Sequence, residues 1–263
     1  MMSSIRVLVI GAAGRMGSEL VRAIAAQDDM LLAGAVDRLR VGEDAGEVAG
    51  LAPLSAPITD WLSHAIPEAK PDVAVDFTLP QSVMANARTV VSAKIPCVVG
   101  ATGLKPANLE ELGALCREHD TPALVAPNFA IGAVLMMQFA AEAARHFEAA
   151  EIVELHHATK IDAPSGTALR TAELIAAAAG RPSPSPAEDM PRARGRTAGS
   201  VQIHSVRLPG LVAHQEVIFG GLGQTLSIRH DSISRESFMP GVLLAIRKVR
   251  GLSGLTVGLE KIL

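Results

Sequence analysis

The side chains best suited to moving protons and holding anions gather in one stretch of this chain, Glu154-Leu155-His156-His157-Ala158-Thr159-Lys160-Ile161-Asp162-Ala163-Pro164-Ser165-Gly166-Thr167-Ala168. An imidazole exchanges protons near neutrality and a lysine carries a fixed positive charge. His156 and Lys160 are therefore candidates for proton exchange and for pairing with a carboxylate. Pro164-Ser165-Gly166-Thr167 reads as a turn entering a helix, whose free N–H groups and positive dipole end suit the same kind of anion. If 151–157 is a strand, His156 and His157 point to opposite faces, which argues against a shared metal ion, and no metal is expected. A plainer reading remains for each part alone: a histidine that closes a strand, a Ser-Gly-Thr that only caps a helix. Proton donors and an anion cradle so close in sequence favour an active site.

A second constellation opens the chain. An apolar run ends at Ile10 and enters Gly11-Ala12-Ala13-Gly14-Arg15-Met16-Gly17 ahead of a helical stretch. Glycines at such a turn let backbone approach a pyrophosphate and let the helix pack close to the strand, while the helix N-terminus faces the phosphates. Alanine at position 12 departs from the usual fingerprint. The next apolar run ends in Val36-Asp37-Arg38, roughly 20 residues after the last glycine, where a carboxylate receives ribose hydroxyls. Asp37 favours NAD, and the Arg38 guanidinium, able to grip a ribose phosphate, favours NADP. Asp76-Phe77-Thr78, Gly100-Ala101-Thr102-Gly103 and Ala126-Pro127-Asn128-Phe129 each follow a further apolar run, and in an open parallel sheet such loops face the ligand.

These loops need a scaffold. The runs 5–10, 30–36, 73–77, 96–99 and 123–125 are short and apolar throughout, as strands buried on both faces are, and they alternate with helical stretches at 18–27, 81–93 and 106–119. That is the pattern of an α/β, Rossmann-type parallel-sheet domain. After Asn128 the spacing predicts a helix over about 131–147, the strand 151–157, and an Ala-rich helix ending near Gly180. Residues 181–199, rich in Pro, Arg and Gly, read as a mobile loop. The segments 201–208, 214–220 and 224–230 alternate between Gly-containing turns and read as antiparallel strands, giving a second, α+β domain with a mixed or antiparallel sheet. A last helix over about 237–250 returns to the first domain. The division expected is 1–127 with 236–263 for the dinucleotide, and 128–235 for substrate.

With 263 residues, 49% hydrophobic, the chain can bury two ordinary cores. Its formal net charge of -3 and 3% aromatics give no basic face or stacking platform, so no nucleic-acid partner is expected. No apolar run reaches the roughly 20 residues of a membrane span. Two cysteines, unlike in setting, make no disulfide framework, and with no leader visible a cytoplasmic protein is the default expectation.

At the two motifs Gly11-Ala-Ala-Gly-Arg-Met-Gly17 and Glu154-x-His-His-x-x-Lys-x-Asp-x-Pro-Ser-Gly-Thr-Ala168, the chain resembles the dihydrodipicolinate reductase family, with Asp76-Phe-Thr, Gly100-x-Thr-Gly and Asn128-Phe-x-x-Gly132 in the family's order. The resemblance implies NADH- or NADPH-dependent reduction of a cyclic imine dicarboxylate in the diaminopimelate route to lysine, by a homotetramer. It implies cofactor contacts at Gly11, Ala12, Ala13, Gly14, Arg15 and Met16, at Asp37 and Arg38, at Gly100, Ala101 and Thr102, and at Ala126, Pro127, Asn128 and Phe129. It makes His156 the proton donor or acceptor, Lys160 a second proton donor, and His157, Gly166 and Thr167 contacts to the dicarboxylate. Thr159, Ala101 and Ala213 stand where many members carry histidine, threonine and glycine. Two ligands on two domains imply closure about hinges near Asn128 and Arg235. Another two-domain nicotinamide dehydrogenase would share the glycine loop and Asp37 but leave residues 160–168 without a purpose, and a cofactor-sensing regulator would not need Lys160.

Overall fold

The computed structural model describes residues 4–101, 103–180 and 194–263. From the start of that range, β1 (Ile5–Ile10), α1 (Arg15–Ala25) and β2 (Met30–Val36) follow the expected alternation. Then come three elements that the apolar pattern did not disclose: α2 (Ala45–Val48), β3 (Ile58–Thr59) and α3 (Leu62–Ala69). α2 and β3 are too short to show a period, and α3 carries Pro67 in its interior, a residue that removes a helical hydrogen bond. β4 (Val73–Asp76), α4 (Pro80–Ser92), β5 (Cys97–Val99), α5 (Pro106–His119) and β6 (Ala123–Val125) complete the run. Proline stands in the first turn of both α4 and α5, where its missing N–H costs nothing.

The second unit, Ala130–Ser237, opens with α6 (Ile131–Ala143), which stops short of the predicted 147; beyond it Phe147 lies against Phe219 at 5.7 Å. β7 (Ala149–His156) leads to α7 (Gly166–Ala179), whose N-cap Ser165 accepts from the Ala168 N–H and whose C-cap Gly180 is left-handed. The mobile-loop expectation for 181–199 needs correction at its end. Residues 181–193 lie outside the described residues, but Arg196–Ala198 form a strand, β8, joined by the Gly199-Ser200 turn to β9 (Val201–Arg207). Gly195 makes this possible, because a Cβ there would stand 2.3 Å from the Ile203 carbonyl. β10 (Ala213–Gly221) and β11 (Gln224–Ser232) close a sheet of order β11-β10-β7-β9-β8. It is mixed: β7 pairs antiparallel with β10 and parallel with β9, so the three last segments do not form an antiparallel set of their own. Ala150 and Ile152 of β7, with Val201, Ile203, Val217 and Phe219, bury one face under α6 and α7.

After a 3-10 turn at Arg235–Phe238, α8 (Met239–Val249) and β12 (Leu255–Val257) belong to the first unit, which comprises the chain up to Phe129 and Phe238–Leu263. β12 was not foreseen; three residues between glycines carry no strand signal. Its parallel pairing with β6 extends the sheet to seven strands, β12-β6-β5-β4-β1-β2-β3, all parallel. Leu8, Ile10, Ala74, Cys97 and Val99 pack on one face with residues of α3, α4 and α5. Their neighbours Val7, Val9, Val73, Val75 and Val98 are equally buried, which is why these strands read as unbroken apolar runs.

Candidate active site

In the first unit, the residues following each strand are laced together along the carboxyl edge of the sheet. Gly11 and Ala12 donate to the Val36 carbonyl at 2.7 and 3.2 Å, Phe77 to Ile10 at 2.9 Å, Gly100 to Asp76 at 2.9 Å, and Ala126 to Val99 at 3.1 Å. The strand order reverses between β1 and β4, so the loops after them line the crevice where open α/β sheets take ligands. Gly11 turns the chain at φ +86°, and a Cβ on Gly17 would lie 2.0 Å from the Gly11 carbonyl oxygen, so the close approach of α1 to β1 needs glycine there. Gly14 is the N-cap of α1 and supplies no side chain to its N–H groups, and no acidic residue occupies the first turn. These features fit a pyrophosphate at the helix N-terminus.

Asp37 is drawn into the same loop: Oδ2 accepts from the Ala13 N–H at 2.9 Å and Oδ1 from Leu39 N–H at 2.9 Å, leaving further lone pairs for hydroxyl donors. Arg38 and Arg15 are exposed, Met16 is half-buried and Ala101 buried. Phe77 contacts Phe129 edge-on at 5.9 Å, and a Cβ on Gly100 would strike the Phe77 ring at 2.2 Å, so the loops after β4, β5 and β6 meet at this pair. Pro127 is exposed and Asn128 half-buried beside it. Thr102 lies outside the described residues. Beneath the loops Asp76 is fully buried and accepts from Thr78 N–H, Thr78 Oγ1 and Asn86 Nδ2 at 2.7, 2.6 and 2.9 Å. Burial pushes its carboxyl up despite those bonds.

In the second unit, strand periodicity places Glu154 and His156 on the same face as Ile152, at the end of β7 nearest the turn into α7. Glu154 has no exposed surface. Its Oε2 meets His156 Nδ1 at 2.5 Å and Arg207 Nη1 at 2.9 Å; its Oε1 accepts from Arg207 Nη2 at 2.7 Å and from the Ser165 N–H at 3.2 Å. Burial by itself drives this carboxyl up, but the hydrogen bonds from His156, Arg207 and Ser205 outweigh it and hold it at about 2. Arg207 sits opposite His156 in the parallel register and also donates to the Asp162 carbonyl at 2.7 Å. Asp162 in turn pairs with Lys160 Nζ at 2.7 and 2.8 Å through both oxygens, and that pairing holds the Asp162 carboxyl low. One chain of contacts therefore joins His156, Lys160 and the N-terminus of α7.

His157 stands apart from this chain. The strand ends at His156, where the pairing of both neighbours, β9 and β10, also runs out, so His157 belongs to the loop and not to the opposite strand face expected for it. Its Nδ1 bonds to Thr159 Oγ1 at 2.8 Å, and the side chain is exposed. Gly166 begins α7 with open space around its Cα, since an added Cβ meets nothing within 4 Å, and Thr167 is half-buried next to it. Sequence reasoning gave no role of its own to Glu154 and none at all to Arg207, while Ser165 entered it only as part of the turn into the α7 anion cradle. The Glu-x-His spacing on a strand was a readable signal for the first. Arg207 had none, because nothing in the sequence pairs β9 with β7.

The sequence profile "Dihydrodipicolinate reductase, N-terminus" matches residues 5–129, and "Dihydrodipicolinate reductase, C-terminus" matches residues 132–263. The 4-hydroxy-tetrahydrodipicolinate reductase of Moorella thermoacetica is 55% identical over 265 residues, covering 100% of this chain and 99% of that protein. The enzyme of that name from Desulfitobacterium hafniense is 51% identical over 267 residues, with 100% of each covered. Among solved structures, the dipicolinate-bound dihydrodipicolinate reductase of Paenisporosarcina sp. TG-14 superposes with a TM-score of 0.85 at 40% identity, over 99% of this chain and 100% of that one. With both profiles spanning nearly its whole length and full-length relatives above half identity, the chain belongs to the dihydrodipicolinate reductase family, a family of oxidoreductases.

Proposed function

We propose that the protein is a 4-hydroxy-tetrahydrodipicolinate reductase, which reduces a cyclic imine dicarboxylate to tetrahydrodipicolinate in the diaminopimelate route to lysine. The observation that carries the reading is the contact chain from His156 through Glu154 and Arg207 to the Lys160 loop and the α7 N-terminus, which sets a proton-exchanging ring, a cation and an anion cradle together. The first unit binds NADH or NADPH: residues 11–16 hold the pyrophosphate, Asp37 takes ribose hydroxyls, Arg38 accommodates a ribose phosphate, and Gly100, Ala101, Thr102 and residues 126–129 flank the remainder. Dual use of both cofactors follows from Asp37 and Arg38 standing side by side.

The bound nicotinamide supplies the hydride. Lys160 pairs with a substrate carboxylate and lowers the cost of negative charge developing on the ring. His156 delivers the proton that completes the reduction, and Lys160 is a second donor. The N–H groups opening α7, with Gly166 and the Thr167 hydroxyl, hold a carboxylate, and His157 adds a contact from the loop. Unit 2 also carries the contacts of a homotetramer: β11 is exposed along most of its length, with Leu226 at its edge and Leu222 at the adjoining turn uncovered. Among the described residues no helix is long and apolar enough to cross a membrane, and both cysteines are unpaired thiols; a cytoplasmic enzyme is the corresponding proposal.

The deciding measurement is the loss of NADH and of NADPH absorbance, separately, with the freshly generated condensation product of pyruvate and aspartate semialdehyde. Oxidation of both supports the reading and the joint role of Asp37 and Arg38. Cofactor binding without oxidation of either overturns it.

A further inference from the structure

The buried Glu154 carboxylate accepts from the His156 ring on β7, from two Arg207 nitrogens and the Ser205 side chain on β9, and from the Ser165 N–H at the turn into α7. An ionised carboxylate only accepts hydrogen bonds, so the ring nitrogen that faces it must carry the proton. That nitrogen is Nδ1. Nε2 is then the position through which the ring takes up or gives up a proton, and among the described residues it has no hydrogen-bond partner. Arg207 offsets the charge of Glu154 with a two-pronged contact at 2.9 and 2.7 Å, so the ring does not rest against a lone anion. The same guanidinium grips the Asp162 carbonyl, beside Lys160. Gln215, the partner of Glu154 on β10, is buried and bonds to Thr171 Oγ1 at 2.8 Å, so it does not compete for the carboxylate.

We propose that Glu154, clamped by Arg207, is a positioning residue: it fixes His156 as the Nδ1–H tautomer, aims Nε2 as the proton-exchanging atom, and locks that atom in register with the Lys160 loop and the α7 N-terminus. The inference rests on the reductase reading above and deepens it. A carboxylate placed only for stability would satisfy Arg207 and Ser165 without needing the imidazole; here the imidazole shares Oε2 with Arg207 Nη1.

The substitution Glu154→Gln makes the test sharp. Two fixed donors, the Ser165 N–H and Arg207 Nη2, lie on Oε1 and one, Arg207 Nη1, on Oε2, so the amide oxygen takes the Oε1 position and the new N–H₂ group, set against Nη1, turns towards His156 Nδ1. Nδ1 must then accept, and the ring is forced to the Nε2–H tautomer. Nitrogen-15 NMR of His156 at alkaline pH is expected to give a protonated Nδ1 and an unprotonated Nε2 in the native protein, and the reverse in Glu154→Gln. Turnover should fall about 100-fold in that variant, with cofactor affinity unchanged within about twofold. Glu154→Asp, which keeps the acceptor-only group, should recover part of the loss. An Nε2–H tautomer in the native protein overturns the inference, and so does a folded Glu154→Gln enzyme with native turnover. Should Glu154→Gln fail to fold, the tautomer of the native protein decides alone. Native protein that oxidises neither NADH nor NADPH overturns the reductase reading instead, since the NMR measurement needs no turnover.

Discussion

At the scale of single residues, Lys160 and Asp162 set up a competition. Both Asp162 oxygens lie on the ammonium at 2.7 and 2.8 Å, yet the Asp162 side chain is 59% exposed, so the pair is one a ligand can displace. An exposed pair contributes roughly 0.2–1 kcal/mol. Asp162→Asn should therefore tighten binding of a dicarboxylate such as dipicolinate by about 2- to 5-fold, read by calorimetric titration; weaker binding would mean that Asp162 holds Lys160 in its productive place. Glu154 leads to a second expectation. Its folded-state value of about 2 lies below the ordinary glutamate value, about 4.3 in unfolded chains. A depressed carboxyl contributes stability that is complete above the unfolded value and disappears as pH falls through the folded one. In denaturant unfolding of unit 2 reporters, the advantage of the native protein over Glu154→Gln should be full at neutral pH and shrink steadily below about pH 4.3. An advantage independent of pH would show that the carboxylate is not the ionised partner of His156 and Arg207.

At the scale of elements, two helix starts behave oppositely. A Cβ on Gly17 would meet the Gly11 carbonyl oxygen at 2.0 Å, its carbon at 2.7 Å and the Ala12 Cα at 2.8 Å, all backbone atoms that cannot rotate away. Gly17→Ala must push α1 off β1, so it should cost at least the roughly 1–3 kcal/mol of an overpacked core and weaken NADH binding with it. Thermal denaturation and fluorescence titration read the two effects. Gly166 has no neighbour within 4 Å of an added Cβ. With Gly166 in the proposed carboxylate site, Gly166→Ala should leave the melting temperature intact while lowering affinity for the dicarboxylate, because the methyl group would take up that open space. A loss of stability there would assign Gly166 to packing instead.

At the scale of the whole molecule, the first unit is completed by chain that lies far away in sequence. α8 buries Val242, Ile246 and Val249 fully, and Leu243 nearly so. At roughly 2 kcal/mol for each such side chain, their removal rivals the roughly 5–15 kcal/mol of a domain's total stability. Gly241 lies so close to Phe129 that a Cβ would stand 2.1 Å from its carbonyl oxygen, and Arg247 holds Asp29 through both carboxylate oxygens at 2.8 Å. Deleting Phe238–Leu263 should therefore abolish NADH binding, although every residue expected to touch the cofactor remains in the chain. Retained affinity would show that the first unit stands without its C-terminal segment.

The parallel strands of the first sheet were legible in the sequence because burial on both faces leaves a local mark, an unbroken run of apolar residues such as Val7-Leu8-Val9-Ile10. The glycine loop and the 154–168 motif were legible for a similar reason: close backbone approach and helix capping need particular residue types at fixed short spacings. Leu62–Ala69 and Leu255–Val257 were not, one masked by its proline and the other too short to show a period. What only the tertiary structure decided is long-range pairing. β9 runs parallel to β7 and brings Arg207 to Glu154, 53 positions earlier, and β8 forms because Gly195 allows the chain to lie against Ile203. Local sequence states what each segment can do chemically; which segments meet is set by the burial of whole faces, and that is why the stretch from Glu154 to Lys160 could be singled out in advance while the Arg207 guanidinium that meets it from β9 could not.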